Sequence, residues 1–326
     1  MKNIKNFTSQ TLRHPVRTYD RFVFWWQHKR NTWQHVVDTD RKRALEIYWH
    51  YYFNTPLNLK SPKTLNEKVQ WIEAFTDTSE WIIYTDKYEV RKYVEKCGFK
   101  DILLPLYGVW DNVEDIDFDM LPNRFAIKCT HDCGSTLLIH DKEHDFDKDK
   151  VKTLLKYHLQ KPFGYDTCEP HYTKIQPRIM AEQLLPEETD ESSSLLTSSS
   201  VDYKFLCFEG KALLCLVCYD RTIGGHSKKN IYTLNPWEAR QDFLNEKKRD
   251  QDIKLFPPPK NLKRMVRIAE TLSAHTHFMR VDLYNNNGKI YFGELTFAMS
   301  AGRTNLFTPQ VQLLLGERIK LPVDKR

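Results

Sequence analysis

The chain has 326 residues, 40% of them hydrophobic and 28% charged, an ordinary balance for a soluble globular protein with two or three lobes around a shared core. Its formal net charge of +6 suits anionic small molecules, nucleic acid or an acidic membrane face about equally. No run of about 18 or more apolar residues is present, which excludes a membrane-spanning helix; the polar, basic start from Met1 to Asp20 lacks the apolar centre of a signal peptide, so a cytoplasmic location is expected.

Residues 1–58 interleave cations with bulky aromatics: Arg13, Arg17 and Arg21, then Phe22 to Trp26, Arg30 and Trp33. The pattern reads as helices. Two placements are open, an aromatic face packed on the main domain, which is favoured, or peripheral contact of residues 13–33 with an anionic membrane surface at the inner face. A helix follows with Leu65, Val69, Ile72 and Phe75 on one side and Ser61 or Thr64 as its cap. A second is expected from Asp86 to Cys97, ended by Gly98, and then a short strand over Ile102–Tyr107.

From Arg124 the texture changes to strands: Phe125–Cys129, the turn-rich His131–Thr136, and Leu137–Ile139. A helix at about Asp147–Leu159 and a strand over Arg178–Leu185 follow. Residues 186–200 are acidic and serine-rich and read as a mobile loop. Tyr203–Phe208 and Ala212–Tyr219 form a hairpin around Glu209-Gly210; Asn261 caps a helix reaching His275; Phe278–Tyr284 and Lys289–Leu295 form a second hairpin turned at Asn285–Gly288. Seven cysteines, odd in number and irregularly spaced, suit a reducing compartment. Cys215 and Cys218 lie three apart in a strand, on opposite faces, and so do not readily share a metal.

The second hairpin carries the sharpest chemistry. Asp282 and Glu294 stand among apolar neighbours on adjacent strands, and two facing carboxylates repel unless positive charge lies between them. Magnesium, with its preference for oxygen, is one candidate. A structural pairing with Arg280 on the same strand face is the other, and the sequence leaves both open. Lys128, ending an apolar strand before a Gly/Ser/Thr loop, is a candidate phosphate cradle, though an edge lysine at an ordinary turn has the same pattern. The strand from Ile179 leads into a loop where backbone can read an adenine edge and Glu182 can accept from a ribose or amino group.

The order of these pieces resembles the ATP-grasp superfamily, and within it the TupA-like branch linked to teichuronopeptide and capsular polysaccharide synthesis. The phrases that carry it run from Leu65-Asn-Glu-Lys through Asp86–Arg91, Pro105–Trp110, Leu121–Phe125, Lys128–Ser135, Pro177–Glu182, Asp202–Phe205 and Val281–Tyr284 to Phe292–Phe297. The resemblance implies an α/β (α+β) fold whose antiparallel sheets form two lobes clasping ATP, after a helical N-terminal segment. The divisions expected are 1–58, a pre-ATP-grasp region at 59–123, and the ATP-grasp domain at 124–326, with lobes at about 124–185 and 201–326.

By position, the resemblance makes Lys128 the lysine that holds the ATP phosphates, with Gly134 and Ser135 in the loop over them. Glu182, Gln183 and Leu184 become the adenine hinge and Lys204 a second nucleotide-side lysine. Asp282 and Glu294 become magnesium ligands, and Arg280 the partner of the transferred phosphate. Many relatives carry Asn two residues after the metal-binding Glu; here Thr296 stands there as the third ligand. The implied reaction is ATP-dependent, ADP-forming joining of a carboxylate to an amine through an acyl phosphate. The implied partners are ATP, Mg2+, a carboxylate-bearing sugar or polysaccharide precursor, and an amino acid or other amine; no nucleic acid is implied. A glycosyltransferase of polysaccharide synthesis and a non-catalytic membrane-associated scaffold are the alternatives.

Overall fold

The computed structural model describes residues 32–187, 197, 199–222, 227–250 and 252–322. The basic and aromatic stretch before Thr32 and most of the serine-rich 186–200 segment lie outside the described residues. Trp33, the last aromatic singled out in residues 1–58, is inside them. It is 2% exposed, packs with Val37, Leu45 and Ile47, and donates its indole N–H to the Tyr165 carbonyl at 2.7 Å. Among the described residues, no helix is long and apolar enough to cross a membrane.

Helices α1 (Trp33–Thr39) and α2 (Arg41–Phe53) lead to α3 (Leu65–Phe75), where Thr64 and Glu67 form a reciprocal capping box. Leu65, Val69 and Ile72 are buried, as their spacing predicts. The helix expected from Asp86 begins later. Asp86 ends α4 (Ser79–Thr85), and its carboxylate accepts from the Tyr88 and Glu89 N–H groups, so that α5 covers only Val90–Lys96. Gly98 follows at φ 86°. The strand expected over Ile102–Tyr107 also moves: Lys100–Ile102 is a 3-10 turn, and β1 is Leu106–Trp110. Pro105 lacks a ladder donor, and its carbonyl accepts from Gln183 N–H at 2.8 Å just before the strand.

The first sheet joins β1, β2 (Phe125–Cys129), β3 (Leu137–Ile139) and β4 (Ile179–Gln183) in the order β1-β4-β2-β3, all antiparallel. Phe125, Ile127, Cys129, Ile179 and Ala181 share the face packed on α6 (Lys148–Gln160) through Val151 and Leu155. The period of two then puts Lys128 and Glu182 on the other face.

The second sheet holds β5 (Asp202–Phe208), β6 (Lys211–Tyr219), β7 (Lys228–Leu234), β8 (Trp237–Ala239), β9 (Phe278–Asn286) and β10 (Lys289–Thr296), ordered β10-β9-β5-β6-β7-β8. Tyr203, Phe205, Cys215, Val281 and Leu283 pack on α7 (Leu262–Leu272). Leu206, Phe208, Leu214, Leu216 and Cys218 lie on the opposite face, under α3 and α8 (Pro309–Glu317). Cys215 and Cys218 therefore do face opposite sides. Strands β7 and β8 and helix α8 carry no expectation from the sequence. Asn261 precedes α7 but its side chain does not cap it; the amide donates to the Gly288 carbonyl. The β9–β10 turn is tighter than expected, just Asn287-Gly288 at φ 54° and 74°, the left-handed pair that a two-residue hairpin turn demands.

Candidate active site

One face of the second sheet is apolar where α3 and α8 cover it and charged at its other end. Register sets Lys204 on β5 directly against Asp282 on β9, and Asp202 against Tyr284. Arg280 lies two residues before Asp282, on the same face, and grips it with two bonds of 2.6 and 2.7 Å. Its guanidinium also bonds Glu294 of β10, whose carboxylate is 3.4 Å from the Thr296 hydroxyl. Lys204 bonds Asp282 and stands 3.0 Å from Asp202 Oδ2, which also accepts from Arg221 at 2.6 Å. The result is an alternating ladder: Arg221, Asp202, Lys204, Asp282, Arg280, Glu294.

A β-bulge between Phe292 and Leu295 brings Glu294 to this face. Gly293 makes it possible: a Cβ there would stand 2.9 Å from the Asp282 carbonyl oxygen. Burial alone would raise the Asp282 pKa, but Arg280 and Lys204 outweigh it and hold the group below its usual range. Burial likewise works against charge on Arg280 and Lys204, yet Asp282 carries both above their ordinary values. Arg280 is paired with both acids here, an arrangement the sequence left open beside the metal.

On the first sheet, Lys128 bonds Glu182 across strands. The other Glu182 oxygen accepts from Arg91 at 3.2 Å, which holds the carboxylate between two cations beside the hinge. Gly134 takes φ 97° at the exposed tip of the following loop. Ser135 is buried, and its hydroxyl is committed to Asp132 and to Cys129 N–H, so it braces the loop from within. Gln183 and Leu184, with Tyr107, Arg124 and Pro186, line an open cavity of about 350 Å³. The Asn286 amide, at the far end of β9, donates to the Pro186 carbonyl at 2.6 Å and ties this hinge to the second sheet.

Lys87 is the residue that sequence reasoning missed. Its ammonium donates to the Asp132 carbonyl, and it lies within electrostatic reach of Glu294 and Lys128. Burial pulls its pKa below the lysine range, with Glu294 and Asp132 opposing. Lys87 thus bonds the loop of one sheet and feels the charge of the acid on the other. Its signal was the Asp86–Arg91 phrase, which also supplies Arg91. Beneath the site is a second polar set. Glu73 and Glu169 are buried, and burial pushes their pKa values up to about 8 and about 7. His171, 3.8 Å from Glu73, is driven down to about 3 by burial.

Asp282, Glu294 and Thr296 offer only oxygen, the donor chemistry of magnesium; both carboxylates meet Arg280, and the Thr296 hydroxyl stands against Glu294. Among the described residues, no three His, Cys, Asp or Glu side chains gather as a metal cage. Two carboxylates and a hydroxyl are donors that fit a hard cation shared with phosphates.

No curated protein matches the chain. Among solved structures, an L-amino acid ligase from Bacillus licheniformis is 12% identical, with a TM-score of 0.45 over 87% of this chain and 63% of that one. D-alanine–D-alanine ligase from Bacillus anthracis, complexed with ATP, is 14% identical, with a TM-score of 0.37 over 72% of this chain and 63% of its own. The ATP-grasp ligase PsnB, complexed with minimal precursor, is 12% identical, with a TM-score of 0.40 over 89% and 75%. Residues 67–320 match the TupA-like ATPgrasp family, and with most of its length inside that match the chain belongs to it.

Proposed function

We propose that the chain is an ATP-dependent carboxylate–amine ligase. The observation that carries this is the gathering of Lys87, Lys128, Lys204 and Arg280, mostly buried cations each held by an acceptor oxygen, on and beside the two sheets of an ATP-grasp fold. Gln183 and Leu184 receive adenine, and Lys128 and Lys87 meet the phosphates under the Gly134 loop. Asp282, Glu294 and Thr296 hold magnesium, which when bound offsets phosphate charge. Arg280 turns from its acids to the transferred phosphoryl group, and its fixed charge stabilises the charge that spreads there.

The acceptor carboxylate oxygen attacks the γ-phosphorus as ADP leaves, giving an acyl phosphate. The amine then attacks the acyl carbon, inorganic phosphate leaves, and the amine gives up a proton. Residues 186–200 are proposed to keep water from the acyl phosphate. From its branch the acceptor is taken as a uronic-acid carboxylate on a cell-surface or capsular polysaccharide precursor, and the donor as an amino acid, with the chemistry on the cytoplasmic side. No observation at the site favours the glycosyltransferase or scaffold alternative.

The test is ADP release across a panel of uronic acids and amino acids, with hydroxylamine as a trap. Release that needs magnesium and a carboxylate, and hydroxamate formed from that carboxylate, is expected. ATP turnover indifferent to every carboxylate would overturn the proposal. Lys128→Ala should weaken ATP by about 1.5–3 kcal/mol, as for a charge-assisted contact, and spare adenosine; equal losses by calorimetry would place Lys128 away from the phosphates.

A further inference from the structure

Arg221 is a site cation that the reaction above does not use. It follows β6 and reaches Asp202 with one nitrogen at 2.6 Å, while its backbone N–H is pinned by the Ser199 hydroxyl at 3.0 Å. Its side chain is 49% exposed, against 14% for Arg280, which spends its guanidinium on two acids. Asp202 is buried and offers Arg221 only the oxygen it also turns toward Lys204. Arg221 is therefore anchored on one side and has donors left facing solvent.

Its place along the sheet says what those donors meet. On the charged face of β9 the order is Arg280, Asp282, Tyr284, Asn286, and Asn286 is tied to the hinge at Pro186. Asp202 pairs with Tyr284, one two-residue step hingeward of the Lys204–Asp282 pair, or about 7 Å at strand spacing. A nucleotide whose base lies at the hinge and whose terminal phosphate lies at Arg280 passes Arg221 midway.

We propose that Arg221 binds the α-phosphate of ATP, as a guanidinium fork held in place by Asp202. The inference rests on the nucleotide reading of the site and deepens it. The other role open to Arg221 is to neutralise Asp202 alone.

The experiment compares wild type, Arg221→Gln and Arg221→Lys in calorimetry with adenosine, ADP and ATP, and in turnover with the two epimers of ATP thio-substituted at the α-phosphorus. The Gln variant should bind ADP and ATP about tenfold more weakly and adenosine unchanged, the worth of one charge-assisted contact. The Lys variant should recover part of the loss. The epimer preference should shift several-fold in the Gln variant. Unchanged nucleotide affinity, equal loss for adenosine, or an unaltered epimer preference would each overturn the assignment. Failure of wild type to bind ATP would instead overturn the nucleotide reading itself.

Discussion

Asp282 answers two buried cations at once, and that reverses what a pair of facing acids suggests from sequence. Were Asp282 and Glu294 repelling each other, removing either would relieve the empty protein. With Arg280 and Lys204 closed on Asp282, Asp282→Asn strands both, and urea denaturation should show a loss of about 3–5 kcal/mol. Glu294 is 51% exposed, so Glu294→Gln should cost no more than about 1 kcal/mol while abolishing magnesium-dependent turnover. Equal stability losses in the two variants would contradict this ladder. Both acids were legible because each interrupts an apolar strand. Their ion pairs were not, since nothing in the spacing says that Arg280 and Lys204 both close on Asp282. Lys87 was harder still: nothing in a polar phrase says which lysine turns inward.

At the level of elements, alternation and caps were the readable signals. Strands β2 and β3 and helix α3 stand where the periodicity puts them, and of the two caps the sequence offers, Ser61 and Thr64, the helix uses Thr64. The misses are at Asp86 and Pro105, where a side-chain cap and a missing donor move the boundary, and at β7 and β8, whose pairing depends on distant partners. Between α3 and the loop bearing His171, Glu73 and Glu169 keep protons to about pH 8 and about pH 7 because burial disfavours their charge. Folded pKa values above unfolded ones give stability that is full below the ordinary value of 4.5 and lost as pH rises through about 8. His171, lowered from 6.5 to about 3, acts in the opposite sense, but only below 6.5. From pH 6.5 to 8 the acids act unopposed by it. The urea midpoint should fall across that window, and Glu73→Gln, which mimics the protonated acid, should flatten the fall. A variant as steep as wild type would show that Glu73 titrates normally.

For the whole molecule, α1 and α2 behave as part of the fold. Trp33, Val37, Leu45 and Ile47 bury against Cys168, and Arg41 donates to the Glu73 carbonyl at 3.0 Å. A chain shortened to begin at Ser61 should melt well below full length. If residues 13–33 also touch membrane, full length should sediment with anionic vesicles at low salt and release at high salt; melting at the full-length temperature would make these helices an independent appendage. The charge ladder has a consequence at this scale too. Three cations answer three carboxylates, so the empty enzyme behaves like an ion exchanger already loaded with its own counter-ions. Without nucleotide, Asp282 and Glu294 have few lone pairs to spare for a dication. On the proposed reading, phosphates that draw Arg280 and Lys204 away leave the same acids wanting one. Nucleotide and magnesium would then be linked ligands, each raising affinity for the other by the same factor. Melting curves should show almost no shift with magnesium alone, a small one with ATP alone, and with both a shift larger than the sum; a full shift from magnesium by itself would mean that the acids were never spoken for.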